Sequence, residues 1–415
     1  MFRPLTLITA FSISLSAWSA SASDLWVGRG TRLDPYIIVD AVDIESLADA
    51  VNGGETFAGR HFRLAGDIDM SAAPGFNGIG TAEALEIDSH SFCGEFNGMQ
   101  YTISGLSIDS SGAAVGLFNS LGEGADVHHL RFDATCTVRG ENCVGMAAGR
   151  MWGGRVEYIA NDGTVSATKT AGGIAGDLRG GVILSCANHA AVEAVQQVAG
   201  IAGQLRGTAS VTGCYNIGAV SATAPGACAG IVAVAFDTTT ISACYNAGTI
   251  HGRYSKEWEC GPSAILSDRP AVLWQGSVDG CYYVSPESYA TDDLATPLTK
   301  SQFTSAEGVA LLNAAVATAL GGTTDSHADA TFRISKGING GYPHLEWETH
   351  PSGAAISDVT ADPAVSIAVH GNRVSRTDGR PLRVYTPRGI LVARGSEVTL
   401  TPGLYIADGY KLSIR

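Results

Sequence analysis

At 415 residues the chain has room for two or three domains, or for one long repeat array with caps. Fifty-two glycines and only 16% charged residues argue against a helical bundle, in whose helices Gly is costly. A net charge of −14 argues against a nucleic-acid partner, which would need clustered Lys and Arg.

Residues 1–23 read as a signal peptide. One positive charge in "MFRP", the apolar run "LTLITAFSISLSAW" and the small residues around Ala20 and Ala22 form its three parts. The run is too short to span a bilayer comfortably, and no later segment is apolar for long enough to be a transmembrane segment. Cleavage near Ala22 would start the mature chain at Ser23 or Asp24. Residues 24–59 are expected to form an N-terminal cap with a short helix over 42–52.

Residues 60–285 carry the organising signal. Asn161, Asn188, Asn216 and Asn246 recur at 27, 28 and 30 residues. Each follows a Gly-rich signature: "VGMAAG" (144–149), "GGIAG" (172–176), "VAGIAG" (198–203) and "CAGIVA" (228–233). A repeat of this period means a solenoid. The Gly-rich units cannot form amphipathic helices and lack a Leu frame, so the pattern predicts a right-handed parallel β-helix, an all-β fold. Equivalent residues then stack in columns about 4.7–4.9 Å apart. Cys186, Cys214 and Cys244, with Cys281, are expected to form a core column. The four asparagines are expected to pass amide hydrogen bonds from coil to coil and to take the left-handed conformation at a corner. Metal binding is not expected, because thiols set one per coil do not converge on a tetrahedron. Of the remaining cysteines, Cys136/Cys143 and Cys228/Cys260 are candidate bridges, with Cys93 left over.

Residues 286–350 are expected to cap the far end, with the helix-forming run at 301–320 covering the open stack. A linker over 351–364 leads to residues 365–415, which hold eight Lys/Arg against three Asp/Glu. Short strand signals with Gly and Pro turns predict a small C-terminal β-sandwich there.

"VAGIAGQLRGTASVTGCYNIGAVSA" (198–222) and its neighbours resemble the GLUG motif, a Gly-rich repeat of bacterial surface proteins. The lead-in at 34–71, the stretches at 92–109 and 115–133 and the closing "INGGYPHLEW" (338–347) resemble the flanking elements of such proteins. Together they cover roughly residues 34–347. "PLRVYTPRGILVARGSEVTLTPGLYIADGYKLSIR" (381–415) resembles a type IX secretion sorting domain. That resemblance implies recognition of residues 365–415 by secretion machinery and passage to the cell surface.

No catalytic constellation emerges: there is no HExxH, G-x-S-x-G or P-loop, and no cofactor is implied. Asp177, Arg179 and, one coil on, Arg206 read as a solvated turn ladder. Asp67 and Asp69 read as structural. Three positions past each Gly-rich signature stand Trp152, Arg179, Arg206 and Phe236, an aromatic–Arg–Arg–aromatic strip. If it faces solvent, it suits an extracellular glycan or extended protein ligand. The leading expectation is therefore a secreted or cell-surface adhesin or binding scaffold and not an enzyme. A polysaccharide lyase or hydrolase and a non-catalytic accessory protein are the alternatives.

Overall fold

The structure, a computed structural model, describes residues 25–81, 90–285, 290–322 and 329–349, and short strands between 367 and 414. The expected signal peptide and linker lie outside the described residues.

The chain forms a parallel β-helix. One coil runs through Ala148–Met151, Arg155–Asn161, Thr164–Ala167 and Thr170–Gly172, and the next begins at Ala175–Leu178. Each strand pairs in parallel with its equivalent one coil on, so the coils stack into continuous sheets. The interior is a single apolar column from Phe62 and Phe96 through Ile159, Ile183 and Val211 to Ile241. Helix α1 (Ala41–Asn52) closes its N-terminal end. It is capped by Asp40, which accepts from Asp43 N, and buries Ile44, Leu47 and Val51 beside Trp26, Tyr36 and Phe57.

The Cys-Tyr-Asn corner splits three ways. Cys186, Cys214 and Cys244 point inward, and each successive thiol accepts from the backbone N–H one coil back: Cys214 N to Cys244 Sγ is 3.4 Å. Tyr215 and Tyr245 point outward and stack with ring centroids 5.0 Å apart. Asn161, Asn188, Asn216 and Asn246 are fully buried in a ladder whose side-chain bonds are 2.8, 2.7 and 2.8 Å. The second Nδ2 hydrogen of Asn216 goes to Gly218 O at 2.9 Å. The Gly-rich signature exists to let the chain pass this ladder. A Cβ on Gly200 would lie 2.3 Å from Asn216 Cγ, and one on Gly230 2.3 Å from Asn246 Cγ.

The asparagines do not supply the left-handed residue. That conformation falls three residues earlier, at Tyr158 (φ 53°), Ser185 (50°), Gly213 (62°) and Ala243 (53°), one residue before the core position. The corner needs one backbone kink per coil, and the ladder holds the Asn itself in an extended strand.

The cysteines are free thiols, contrary to the two candidate bridges. Cys136 and Cys228 belong to the interior column, whereas Cys143 and Cys260 lie on the outer side of the coil wall, so neither pair can meet. Burial pushes the Cys214, Cys244 and Cys281 thiols well above the ordinary thiol range, which keeps them protonated.

Residues 290–298 close the far end. Thr296–Leu298 pairs with Tyr282–Val284, Asp292 Oδ2 accepts from Ile265 N and Leu266 N, and Ala290, Leu294 and Ala295 pack on the interior column. The helical run at 301–320 does not cover the open stack. Helices α2 (Lys300–Phe303) and α3 (Ala306–Leu320) lie along the flank, where Phe303, Leu312 and Val316 cover Tyr215, Tyr245 and Ala243. The outward tyrosines create an apolar surface on the side of the solenoid, and that surface takes the apolar helix. Residues 339–349 continue as a belt over earlier coils. Trp347 Nε1 donates to Ser185 O at 3.1 Å, and Arg131 Nη2 to Glu348 O at 2.8 Å.

The C-terminal strands form two antiparallel sheets of three and four strands around a shared core of Val374, Leu382, Val384, Val398 and Leu412. Among the described residues no helix is long and apolar enough to cross a membrane.

Candidate functional site

The strip residues follow the last position of parallel-stacked strands. Met151, Leu178, Leu205 and Ala235 are in register and point inward, so Trp152, Arg179, Arg206 and Phe236 come out on one line along the solenoid. All four are half-buried on the outer surface, none in the interior column. The structure pairs them: the Arg179 guanidinium lies over the Trp152 ring at 5.0 Å, and Arg206 over Phe236 at 4.2 Å.

Asp177 organises the group. It is 1% exposed, so the ladder is not a solvated turn. Its Oδ2 accepts from Arg150 Nε at 3.1 Å and Arg179 Nε at 3.0 Å, while Arg206 Nε stands 4.0 Å from Oδ1. A buried carboxylate survives only with such partners. Arg150 also reaches the Cys143 thiol (3.4 Å) and sits 5.6 Å from the Trp152 centroid. Burial pushes that thiol up to about 11, with the charge of Asp177 acting in the same direction. Gln204 receives Arg206 Nη2 at 3.2 Å and donates to Gln197, which also accepts from Thr170. Asp177 Oδ1, Arg206 Nε and Trp152 Nε1 are buried without a hydrogen-bond partner. Sequence reasoning missed Arg150 and Gln204; both alternate outward on strands whose period-two pattern carries that information.

A second polar column lies on another sheet. His61, Glu95, Asp126 and Arg155 are aligned across successive coils, with Asn97, His128 and Glu157 two residues on. Glu95 is held by His61 Nδ1 (2.7 Å) and His128 Nε2 (3.6 Å). Burial raises the Asp126 carboxyl against the opposing charges of His128 and Arg155, and Glu157 rises for the same reason beside Arg155. His61, Glu95, Asp126 and His128 precede the clear repeats and Arg155 and Glu157 stand in the first of them, so no period marked the column. Asp67 and Asp69 are structural: Asp67 accepts from Thr102 N, and Asp69 caps a turn of 3-10 helix.

A third cluster fixes the belt. His189 bonds Asp162 (2.9 Å), Tyr215 OH (2.7 Å) and Glu348 (3.3 Å), and the Tyr215 hydroxyl donates to Glu348 at 2.8 Å.

No family model matches the chain. Over 153 residues, 34% of its length, it is 35% identical to halomucin of Haloquadratum walsbyi, and over 155 residues it is 31% identical to a provisionally named Gly-rich membrane protein of Evansella cellulosilytica. These matches span only 2% and 17% of the two relatives. A crystal structure from Bacteroides ovatus, provisionally named an immunoglobulin A1 protease, aligns over 78% of this chain and 96% of its own at 20% identity and a TM-score of 0.57. At that identity the likeness is one of fold: the chain shares a parallel β-helix with it.

Proposed function

We propose that this protein is a secreted or cell-surface binding scaffold of the GLUG-repeat kind. On this reading the Trp152–Arg179–Arg206–Phe236 strip holds an extended glycan or protein ligand, and residues 365–415 direct export as a type IX sorting domain. The observation that carries the reading is the Asp177-centred strip. Two arginines and two aromatic rings are set by stacked coils into a line on the outer surface, with Arg150 and Asp177 buried behind them. Long solenoid faces suit extended ligands. The test is capture on combined glycan and protein arrays by the full chain, with Trp152→Ala and Phe236→Ala variants. Capture lost in the variants supports the reading; a blank array, or capture unchanged in both variants, sinks it. Fractionation of cells lacking residues 365–415 tests the address, since a truncated chain that still reaches the surface removes the sorting assignment.

The Glu95/Asp126 column favours a second reading, acid–base cleavage of a polysaccharide. Burial raises the Asp126 carboxyl, and it is aligned with Glu95, which two histidines hold; two carboxyl groups in unlike surroundings are what such cleavage uses. Release of new reducing ends by the wild type and not by Asp126→Asn would establish it.

A further inference from the structure

We infer that the strip takes an anionic polysaccharide, whose carboxylate or sulfate groups meet Arg179 and Arg206. This rests on the binding reading above and names the ligand class. Three guanidinium groups surround one carboxylate, an excess of two positive charges on a chain whose net charge is −14. The arginines are not equivalent. Arg150 is 3% exposed at its side chain and serves as the buried counterion of Asp177, while Arg179 and Arg206 are 23% and 38% exposed. The excess charge therefore sits on the two that reach solvent.

Their geometry is fixed before any ligand arrives. Arg179 spends Nε on Asp177 and lies flat on Trp152; Arg206 spends Nη2 on Gln204 and lies on Phe236. Arg179 is held at its stem nitrogen and Arg206 at one terminal nitrogen, which leaves terminal N–H groups on both to grip an oxyanion. The two arginines rise from successive coils and lean apart, Arg179 toward Trp152 and Arg206 toward Phe236, so a polymer with regularly repeated anionic groups along the solenoid axis engages both.

Two observations favour a polysaccharide over an acidic peptide. The strip is the face of closed sheets whose backbone groups are bonded to the coils on either side, so it has no free edge on which a peptide could add as a strand. Beside the arginines stand the half-buried amides of Gln204 and Gln197, each carrying a donor and an acceptor. A sugar hydroxyl both donates and accepts, and so can serve both kinds.

The test is binding of the full chain to polygalacturonate, heparin, dextran and poly-glutamate at low and high salt. Binding is expected to polygalacturonate, heparin or both, and their ratio tells carboxylate from sulfate recognition. It should weaken with salt. The Arg179→Gln/Arg206→Gln double variant should weaken it about 10- to 100-fold at an unchanged melting temperature. Arg139→Gln, on a different sheet, should leave it intact. If the double variant does not fold, Arg206→Gln alone is read instead, since Arg206 is the more exposed of the two. Equal binding of dextran, or of poly-glutamate, overturns the assignment and leaves the binding scaffold standing, as does array capture of another ligand with none of the four probes bound. A blank array together with four unbound probes overturns both.

Discussion

Asn216 donates to Asn246 Oδ1 at 2.8 Å, one coil on, with both residues fully buried. Replacing Asn216 by Leu breaks two rungs at once and strands the Asn188 amide and the Gly218 carbonyl. The expected loss is on the order of 1–3 kcal/mol. Cys214→Ala removes only a small buried thiol from the interior column and should cost about 1 kcal/mol or a little more. Urea melts followed by circular dichroism rank the two; a Cys214 variant less stable than the Asn216 variant would reverse the roles given to column and ladder.

Ala243 is a non-glycine residue held at φ 53°. The left-handed conformation costs an L-residue roughly 1–2 kcal/mol that glycine avoids. Ala243→Gly should therefore raise the melting temperature, in contrast to the usual cost of glycine in a strand. A fall would mean that the Ala243 methyl contributes more to packing under α3 than the kink costs.

Gly200 has no room for a side chain. An added Cβ meets Asn216 Cγ at 2.3 Å and Gly230 O, also at 2.3 Å. Gly200→Ala must push two coils apart, with a loss of about 1–3 kcal/mol. Gly59, whose Cβ would meet nothing within 4 Å, is the control for an added methyl, although its φ of 69° carries its own backbone cost. Equal losses at the two sites would show that the ladder is not what excludes the side chain at Gly200.

His189 gives the belt a pH dependence. Burial lowers its affinity for protons, but the bonds to Asp162 and Glu348 outweigh that and push the imidazole up to about 9. A folded value raised above the unfolded 6.5 contributes stability that is full below about pH 6.5 and is lost as pH rises through about 9. The contribution is on the order of 1–3 kcal/mol. His189→Gln should flatten the stability profile between those values. The check is hydrogen exchange of residues 339–349 against pH, and an identical slope in the variant would remove His189 as its source.

The repeat was legible because ladder and signature must contact each other, and both therefore recur at one period. The strip could be counted out for the same reason: Trp152, Arg179, Arg206 and Phe236 sit at a fixed offset from the Gly-rich signature. The left-handed column was illegible, since Tyr158, Ser185 and Ala243 share no side-chain chemistry and only Gly213 hints at the kink. Position along the flank was illegible too. The run at 301–320 reads as an apolar helix from its own residues, but where it lies depends on Tyr215 and Tyr245 facing outward, which the pattern "CYN" leaves undetermined. Asp177 was visible as a residue and misjudged in its surroundings, because burial of a turn depends on the neighbouring coils.

A stack of coils in which each touches only its neighbours would lose structure from an end, one unit at a time. The belt changes that. Glu348 and Trp347 tie to Arg131, Ser185 and Tyr215, and Pro343 accepts from Tyr245, so one short segment spans from the coil of Arg131 to that of Tyr245, which do not touch each other. Fraying at any of these coils must release contacts shared with the others. The molecule is thereby a zip with a strap across it: its middle coils open together or not at all, and the surface they carry stays in alignment over its whole length.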